Sequence, residues 1–228
     1  MKVNIMRNKH DNKLNKDFSP QVVYLDKKSL EDESLANNIR LNDKIQYSPL
    51  SGSEPQYEPK KWNNKPRIKA QHNCFSYAIN DLSPSRTGKA QPGYFSGHSG
   101  VPDHDYKCKH FLKRLKKDMP SMYVSTLQHK CKKGFHKAFM ALDDKSDPDY
   151  HFYRQDSNGF WSHKPGRTDV TDLDASKQKI VAPNKANRKY PYFNYKTPCF
   201  YFCVNSKLAK THSSKPRGSK KGFNFDFF

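Results

Sequence analysis

The sequence predicts an α+β domain in which helices come first and a mostly antiparallel sheet follows. Tyr106 to Met119 carries apolar side chains at helical spacing, and four aromatic-rich runs with strand character come after it. An Asn158-Gly159 pair separates two of these runs and is a strong hairpin signal. Helices followed by such a meander of strands are typical of the α+β class.

We expect this domain to occupy residues 60–205, between two polar ends. Residues 1–59 hold nine Lys/Arg and nine Asp/Glu with few aromatic residues, which is typical of an extended or disordered arm. Residues 206–228 are rich in lysine and finish on a phenylalanine-rich segment. Both ends are predicted to be flexible, and the tail is a candidate docking arm.

Two helices carry the first half of the predicted domain. Cys74 to Asn80 suits a helix with Asn73 as N-cap, so that the cysteine lies in the first turn. Tyr106 to Met119 is amphipathic, with its lysines opposite an apolar stripe, and Pro120 ends it. The second half is predicted to form four strands, over Phe135–Leu142, Tyr150–Asp156, Phe160–Lys164 and Cys199–Asn205.

The loop between the second and third of these strands has two possible forms. A two-residue Asn158-Gly159 loop places His163 opposite Arg154, on the other face from His151. A three-residue loop that begins at Ser157 places His163 opposite Tyr153, on the same face as His151. The residues alone permit both loops.

The net charge of +20 predicts attraction to polyanions. Between Tyr106 and Phe139, ten basic residues stand against Asp118 alone. We predict nucleic-acid or polyanion contacts from nine cationic residues: Lys107, Lys113, Arg114, Lys116, Lys117, Lys132, Lys133, Lys220 and Lys221. A solvated surface would show the same pattern, so that interpretation stays open.

The five cysteines are odd in number and widely spaced. The N-terminus shows no signal-peptide pattern, and no run of about 18 apolar residues occurs. These observations predict free thiols and a reducing compartment without a membrane span. Cys199 and Cys203 lie roughly 13 Å apart along a strand, which is too far for them to bridge each other.

Cys74 is the candidate nucleophile, because a helix N-terminus or a nearby histidine lowers a thiol pKa. A buried, inert cysteine is the alternative. Zinc is the competing chemistry, because cysteines and histidines cluster between residues 104 and 136, but they lack the usual knuckle spacing. We therefore predict no metal and no cofactor.

Three segments carry a resemblance to a known family: Asn73-Cys74 with Tyr77-Ala78, the loop from Gly88 to Gly97, and Tyr150 to Gly166. Together they resemble an uncharacterised family of large DNA viruses and bacteria, distantly similar to NlpC-type papain-like cysteine peptidases and amidases. The resemblance covers roughly Trp62 to Asn205. It implies a papain-like core and a triad of Cys74, His151 and His163, and it favours the three-residue hairpin loop.

The resemblance therefore predicts a viral thiol hydrolase that cleaves an amide bond. Cys74 would be the nucleophile, His151 the general base and His163 the orienting group. A peptide or peptidoglycan-like amide would be the substrate, and the host cytoplasm or the virion the location. The alternative is a catalytically silent virion component that binds nucleic acid or an acidic virion protein through its positive charge.

Overall fold

The computed structural model describes residues 47–83, 89–145 and 147–209, and these form an α+β domain. Residues 1–46 of the predicted arm (1–59) lie outside the described residues. So do residues 210–228 of the predicted tail (206–228), which include Lys220 and Lys221. Among the described residues, four α-helices precede the main strands: α1 (Pro59–Asn63), α2 (Pro66–Gln71), α3 (Cys74–Ala78) and α4 (Cys108–Asp118). The five strands are β1 (Tyr123–Ser125), β2 (His136–Asp143), β3 (Asp149–Gln155), β4 (Trp161–His163) and β5 (Thr197–Val204).

The five strands form one sheet in the order β1-β5-β2-β3-β4. Every neighbouring pair is antiparallel, which confirms the predicted α+β class. The four predicted strands and the two predicted helices are present, with ends that differ by a few residues. Strand β1 was not predicted, because three residues are too few to show an alternating pattern.

Each face of the sheet carries its own apolar cluster, and β3 contributes to both because side chains alternate along a strand. Phe152 points to the helix side, where its ring lies 5.2 Å from that of Phe75 in α3. Phe111 and Leu115 of α4 are fully buried in the same cluster. Tyr153 points to the opposite side and packs with Trp161. The domain therefore has a helix-covered face and a second face covered by the long connection between β4 and β5.

The hairpin between β3 and β4 has the three-residue loop. Asp156 N–H donates to the Phe160 carbonyl oxygen, and Tyr153 pairs with His163. Gly159 closes the turn at φ 87°, a conformation that glycine adopts without a steric cost. The prediction that His151 and His163 share a face is confirmed.

A buried guanidinium joins the helices to the sheet. Arg154 is 1% exposed, and its Nε donates to Asp156 at 2.8 Å. It also donates to the Tyr77 carbonyl, to Asn80 and to the Gln56 carbonyl, and it lies 3.9 Å from the Tyr77 ring centroid. Because every side of the charge has a partner, the cost of its burial is largely offset.

The segment that precedes α1 packs along the domain from residue 47 onwards. Ser48 is 3% exposed, and its hydroxyl donates to Gln155 in β3. Buried Lys137 donates to the same hydroxyl at 2.7 Å. The sequence predicted that the domain begins at residue 60. Residues from 47 onwards, which were predicted as part of the polar arm, are integral to the described domain.

Four of the five cysteines form disulfides, so the prediction of free thiols is wrong. Cys108 pairs with Cys199, and Cys131 pairs with Cys203. The physical reason is the position of β5 between β1 and β2, which brings its two cysteines to one cysteine in α4 and another in the connection after β1. Disulfides persist in oxidising compartments, which does not fit the predicted reducing location. Among the described residues, no helix combines the length and apolarity that a membrane crossing needs.

Candidate active site

Cys74 is the first residue of α3, as the sequence predicts. The Asn73 side chain accepts from Ser76 N–H, and the Ser76 hydroxyl accepts from Asn73 N–H, which completes a capping box. The sulfur lies against β3 and donates to the Tyr150 carbonyl oxygen at 3.9 Å. The helix cap thus holds the single free thiol beside the residue that precedes His151 in the strand.

The Cys74 thiol is protonated in this conformation. Its side chain is buried, and burial, followed by the negative charge of Asp149, raises its pKa from 9.0 to about 12. The expectation that the helix start lowers this pKa is therefore wrong. Helix α3 has only five residues, and its small dipole is outweighed by desolvation.

His151 and His163 form a direct hydrogen bond on one face of the sheet. Nε2 of His151 lies 2.7 Å from Nδ1 of His163, and the rings meet nearly at right angles. Burial lowers the pKa of both imidazoles, to about 4 for His163, and the proximity of His163 lowers that of His151 further. Both rings are therefore neutral at neutral pH.

The neighbouring carbonyl fixes which nitrogens carry protons. Nε2 of His163 lies 3.0 Å from the Leu173 carbonyl oxygen, which can only accept, so this nitrogen carries the proton. Nδ1 of neutral His163 is then an acceptor, and Nε2 of His151 must donate to it. Nδ1 of His151 consequently holds a lone pair, which is what a general base requires.

Tyr195 stacks on His151 and was not predicted as a site residue. The ring centroids lie 4.9 Å apart at an interplanar angle of 27°, and the Tyr195 hydroxyl donates to Asp149 at 2.6 Å. Tyr153 meets the His151 ring edge-on from another side. These contacts restrict rotation of the imidazole. The tyrosine lies more than 40 residues downstream without a local pattern, so the sequence offered no signal for it.

The loop after residue 88 lies close to the candidate nucleophile. Asn73 Nδ2 donates to the Ala90 carbonyl at 2.7 Å, and the Tyr150 hydroxyl donates to Gln91 Oε1. The carboxylate of Asp118 at the end of α4 accepts from Gly93 N–H and from Ser96. Three separate anchors therefore hold this loop against α3, β3 and α4.

A buried lysine directly follows His163 in the chain. Lys164 Nζ donates to the carbonyls of Lys69, Gly166 and Thr168 at 2.8, 2.8 and 3.0 Å. Burial lowers its pKa to about 8. The ammonium joins α2 to the turn after β4 and fixes the end of the strand that carries His163.

A cleft of about 550 Å³ opens beside His163. Lys69 and Asp169 in its wall form an ion pair at 2.6 Å, and Tyr190 packs against the His163 ring. Asp174 accepts three backbone N–H groups, from Ser176, Gln178 and Asn187. The cleft gives a ligand access to His163.

The predicted polyanion-binding residues fall on two elements. Lys107, Lys113, Lys116 and Lys117 are exposed on or before α4, and Lys132 and Lys133 are exposed in the connection after β1. Arg114 differs, because it is half-buried and donates to the Ser99 carbonyl at 2.8 Å. Within the described residues, no three His, Cys, Asp or Glu side chains converge as a metal site requires.

Fold and site together define a class: a disulfide-linked α+β domain with a buried cysteine beside a histidine pair. The chain is 32% identical to insoluble matrix shell protein 1 of Ruditapes philippinarum over 143 residues, which cover 61% of this chain and 85% of the relative. The chain belongs to the family of that shell protein. No family model and no solved structure matches it. The predicted viral origin stays a prediction.

Proposed function

We propose that the domain has a papain-like core and acts as a thiol hydrolase on an amide bond. Cys74 is the nucleophile, His151 the general base and His163 the orienting group. The observation that carries the proposal is the hydrogen bond of 2.7 Å between the two imidazoles, because it leaves the Nδ1 lone pair of His151 available. The relative's name says nothing about catalysis, so this proposal rests on geometry.

The reaction proceeds in two half-reactions. His151 Nδ1 takes the thiol proton as the Cys74 sulfur attacks the amide carbonyl carbon. The C–N bond then breaks, the amine leaves with that proton, and a thioester remains on the sulfur. Water, deprotonated by His151, hydrolyses the thioester and restores the thiol. His163 stabilises the imidazolium that forms in each half-reaction, in the way that a third group supports other triads.

The resting geometry requires one rearrangement before attack. The sulfur donates to the Tyr150 carbonyl, and its raised pKa keeps it protonated. The sulfur must therefore turn from the backbone carbonyl toward His151 when a substrate binds. Cys74 packs in the helix-side cluster with Phe152, whereas His151 lies on the Tyr153 side of β3, so the proposal also requires the thiol to pass around the edge of that strand.

Mass-spectrometric screening of an amide and peptide library tests this proposal. We expect cleavage by the wild-type chain, none by Cys74→Ser and a large loss for His163→Gln. The matched control is His104→Gln, which removes an imidazole whose side chain is 81% exposed. Cleavage by the Cys74→Ser variant would contradict the assignment of Cys74 as the nucleophile. An equal loss of activity in His163→Gln and His104→Gln would remove His163 from the mechanism.

A structural role in an extracellular matrix is the second candidate, and two observations favour it. The relative is named as an insoluble matrix shell protein, and the two disulfides fit an oxidising setting. The buried, protonated Cys74 is also compatible with a catalytically silent domain. Cosedimentation with acidic matrix polymers tests this role: we expect the Cys74→Ser variant to cosediment like wild type. Absence of cosedimentation at low salt would contradict it.

A further inference from the structure

Helix α4 presents a row of lysines to solvent. Lys109, Lys113, Lys116 and Lys117 are exposed, whereas Phe111 and Leu115 are fully buried. At about 100° per residue, the four lysines occupy an arc of about 100° on the side of the helix away from those two apolar residues. The row therefore points outward along the whole helix.

Within the part of the chain that the structure describes, no carboxylate compensates this row. Asp118 is the only acidic residue of α4, and its carboxylate faces inward and accepts from Gly93 N–H and Ser96. Among the described residues, none of the four lysines forms an ion pair; Lys117 contacts His98 instead. Like charges three and four positions apart destabilise an isolated helix, so the row is not explained by helix stability.

The fold fixes the helix that carries the row. The disulfide from Cys108 fixes the first helical residue to β5, and Arg114 donates to the Ser99 carbonyl, which fixes the neighbouring loop. Met119 and Leu115 bury the opposite side of the last turn. Lysines on a fixed helix lose less backbone entropy on binding than lysines on a flexible segment would.

We propose that the α4 row binds an extended acidic polypeptide with carboxylates at every second residue. Lys109, Lys113 and Lys117 repeat about every 6 Å along the helix axis. Alternate residues of an extended chain repeat about every 6.7 Å and point to one side. Over the three contacts, the accumulated difference between the two spacings is smaller than the reach of a lysine side chain.

An acidic polypeptide fits the molecule better than nucleic acid. The disulfides indicate an oxidising compartment, where nucleic acid is not the usual polyanion. The row also extends only about 12 Å along the helix axis, without exposed aromatic side chains on α4 on which bases could stack. This binding uses residues apart from Cys74 and does not depend on the proposed hydrolase activity.

Titration of the full chain with synthetic peptides tests the proposal. One peptide alternates Asp and Ser, a second has the same composition in two blocks, and an oligothymidylate of equal charge is the third probe. The row variant carries Lys109, Lys113, Lys116 and Lys117 changed to Gln. The matched control carries the same change at four exposed lysines outside the predicted polyanion-binding set: Lys60, Lys65, Lys185 and Lys207.

We expect the alternating peptide to bind best and the row variant to lose about tenfold or more in affinity, with little loss in the control. Equal losses in both variants would show attraction to net charge alone and overturn the proposal. Equal binding of the two peptides would overturn the matched spacing, and tighter binding of oligothymidylate would assign the row to nucleic acid.

Discussion

Alkylation of Cys74 by iodoacetamide is predicted to be slow in the folded protein. Burial raises the thiol pKa from 9.0 to about 12, which lowers the thiolate population at neutral pH about a thousandfold. A thiolate of higher pKa is a better nucleophile, with a Brønsted slope of about 0.4–0.5, and this offsets about sixteenfold to thirtyfold of the loss in rate. The net rate should fall about thirtyfold to sixtyfold below that of an ordinary cysteine, before any steric effect of burial.

Intact-protein mass spectrometry over time measures this rate. The native chain should gain one label slowly, the urea-unfolded chain should gain one label quickly, and the reduced, unfolded chain should gain five. Cys74→Ser should gain none without reduction. Native labelling as fast as in urea would refute the buried, protonated thiol, and more than one label without reduction would refute the disulfides.

Three further predictions concern stability. Arg154→Met should lower the free energy of unfolding by about 3–5 kcal/mol in urea denaturation, because it leaves Asp156 buried without its cation; a loss below about 1 kcal/mol would contradict this. Cys131→Ser with Cys203→Ser should cost about 4 kcal/mol by the same assay, since the bond closes a 72-residue loop; an unchanged midpoint would count against the pairing. His136→Gln should make the protein lose less stability as the pH falls from about 6.5 to 4. Burial lowers the pKa of folded His136 to about 4, so in the wild type the unfolded chain binds a proton at a higher pH than the folded chain does. Identical pH profiles of the two proteins would contradict this prediction.

The periodic elements were predictable because their pattern reports burial directly. Helix α4 buries Phe111 and Leu115 as its stripe predicts, and β3 alternates between two buried faces. The sequence limited the hairpin loop to two forms. The expectation that His151 and His163 share a face then selected the three-residue loop and with it the register. Local spacing therefore accounts for the geometry of His151 and His163.

Features that depend on distant chain segments were not predictable. The disulfides require β5 to enter the middle of the sheet, which no local pattern indicates. The Cys74 pKa depends on how deeply α3 is buried, and the helix start alone suggests the opposite direction. The stack of Tyr195 on His151 likewise arises from a connection that is irregular in sequence. Long-range packing decides all three.

Nitrogen NMR of the histidine side chains tests whether His151 can act as a general base, because it reports the protonation of each ring nitrogen at neutral pH. We expect a proton on Nε2 of both His151 and His163, an unprotonated Nδ1 on each ring, and a hydrogen-bond coupling between the two imidazoles. Assignments follow from His151→Gln and His163→Gln. A proton on Nδ1 of His151, or an imidazolium at either position, would contradict the proposed general base.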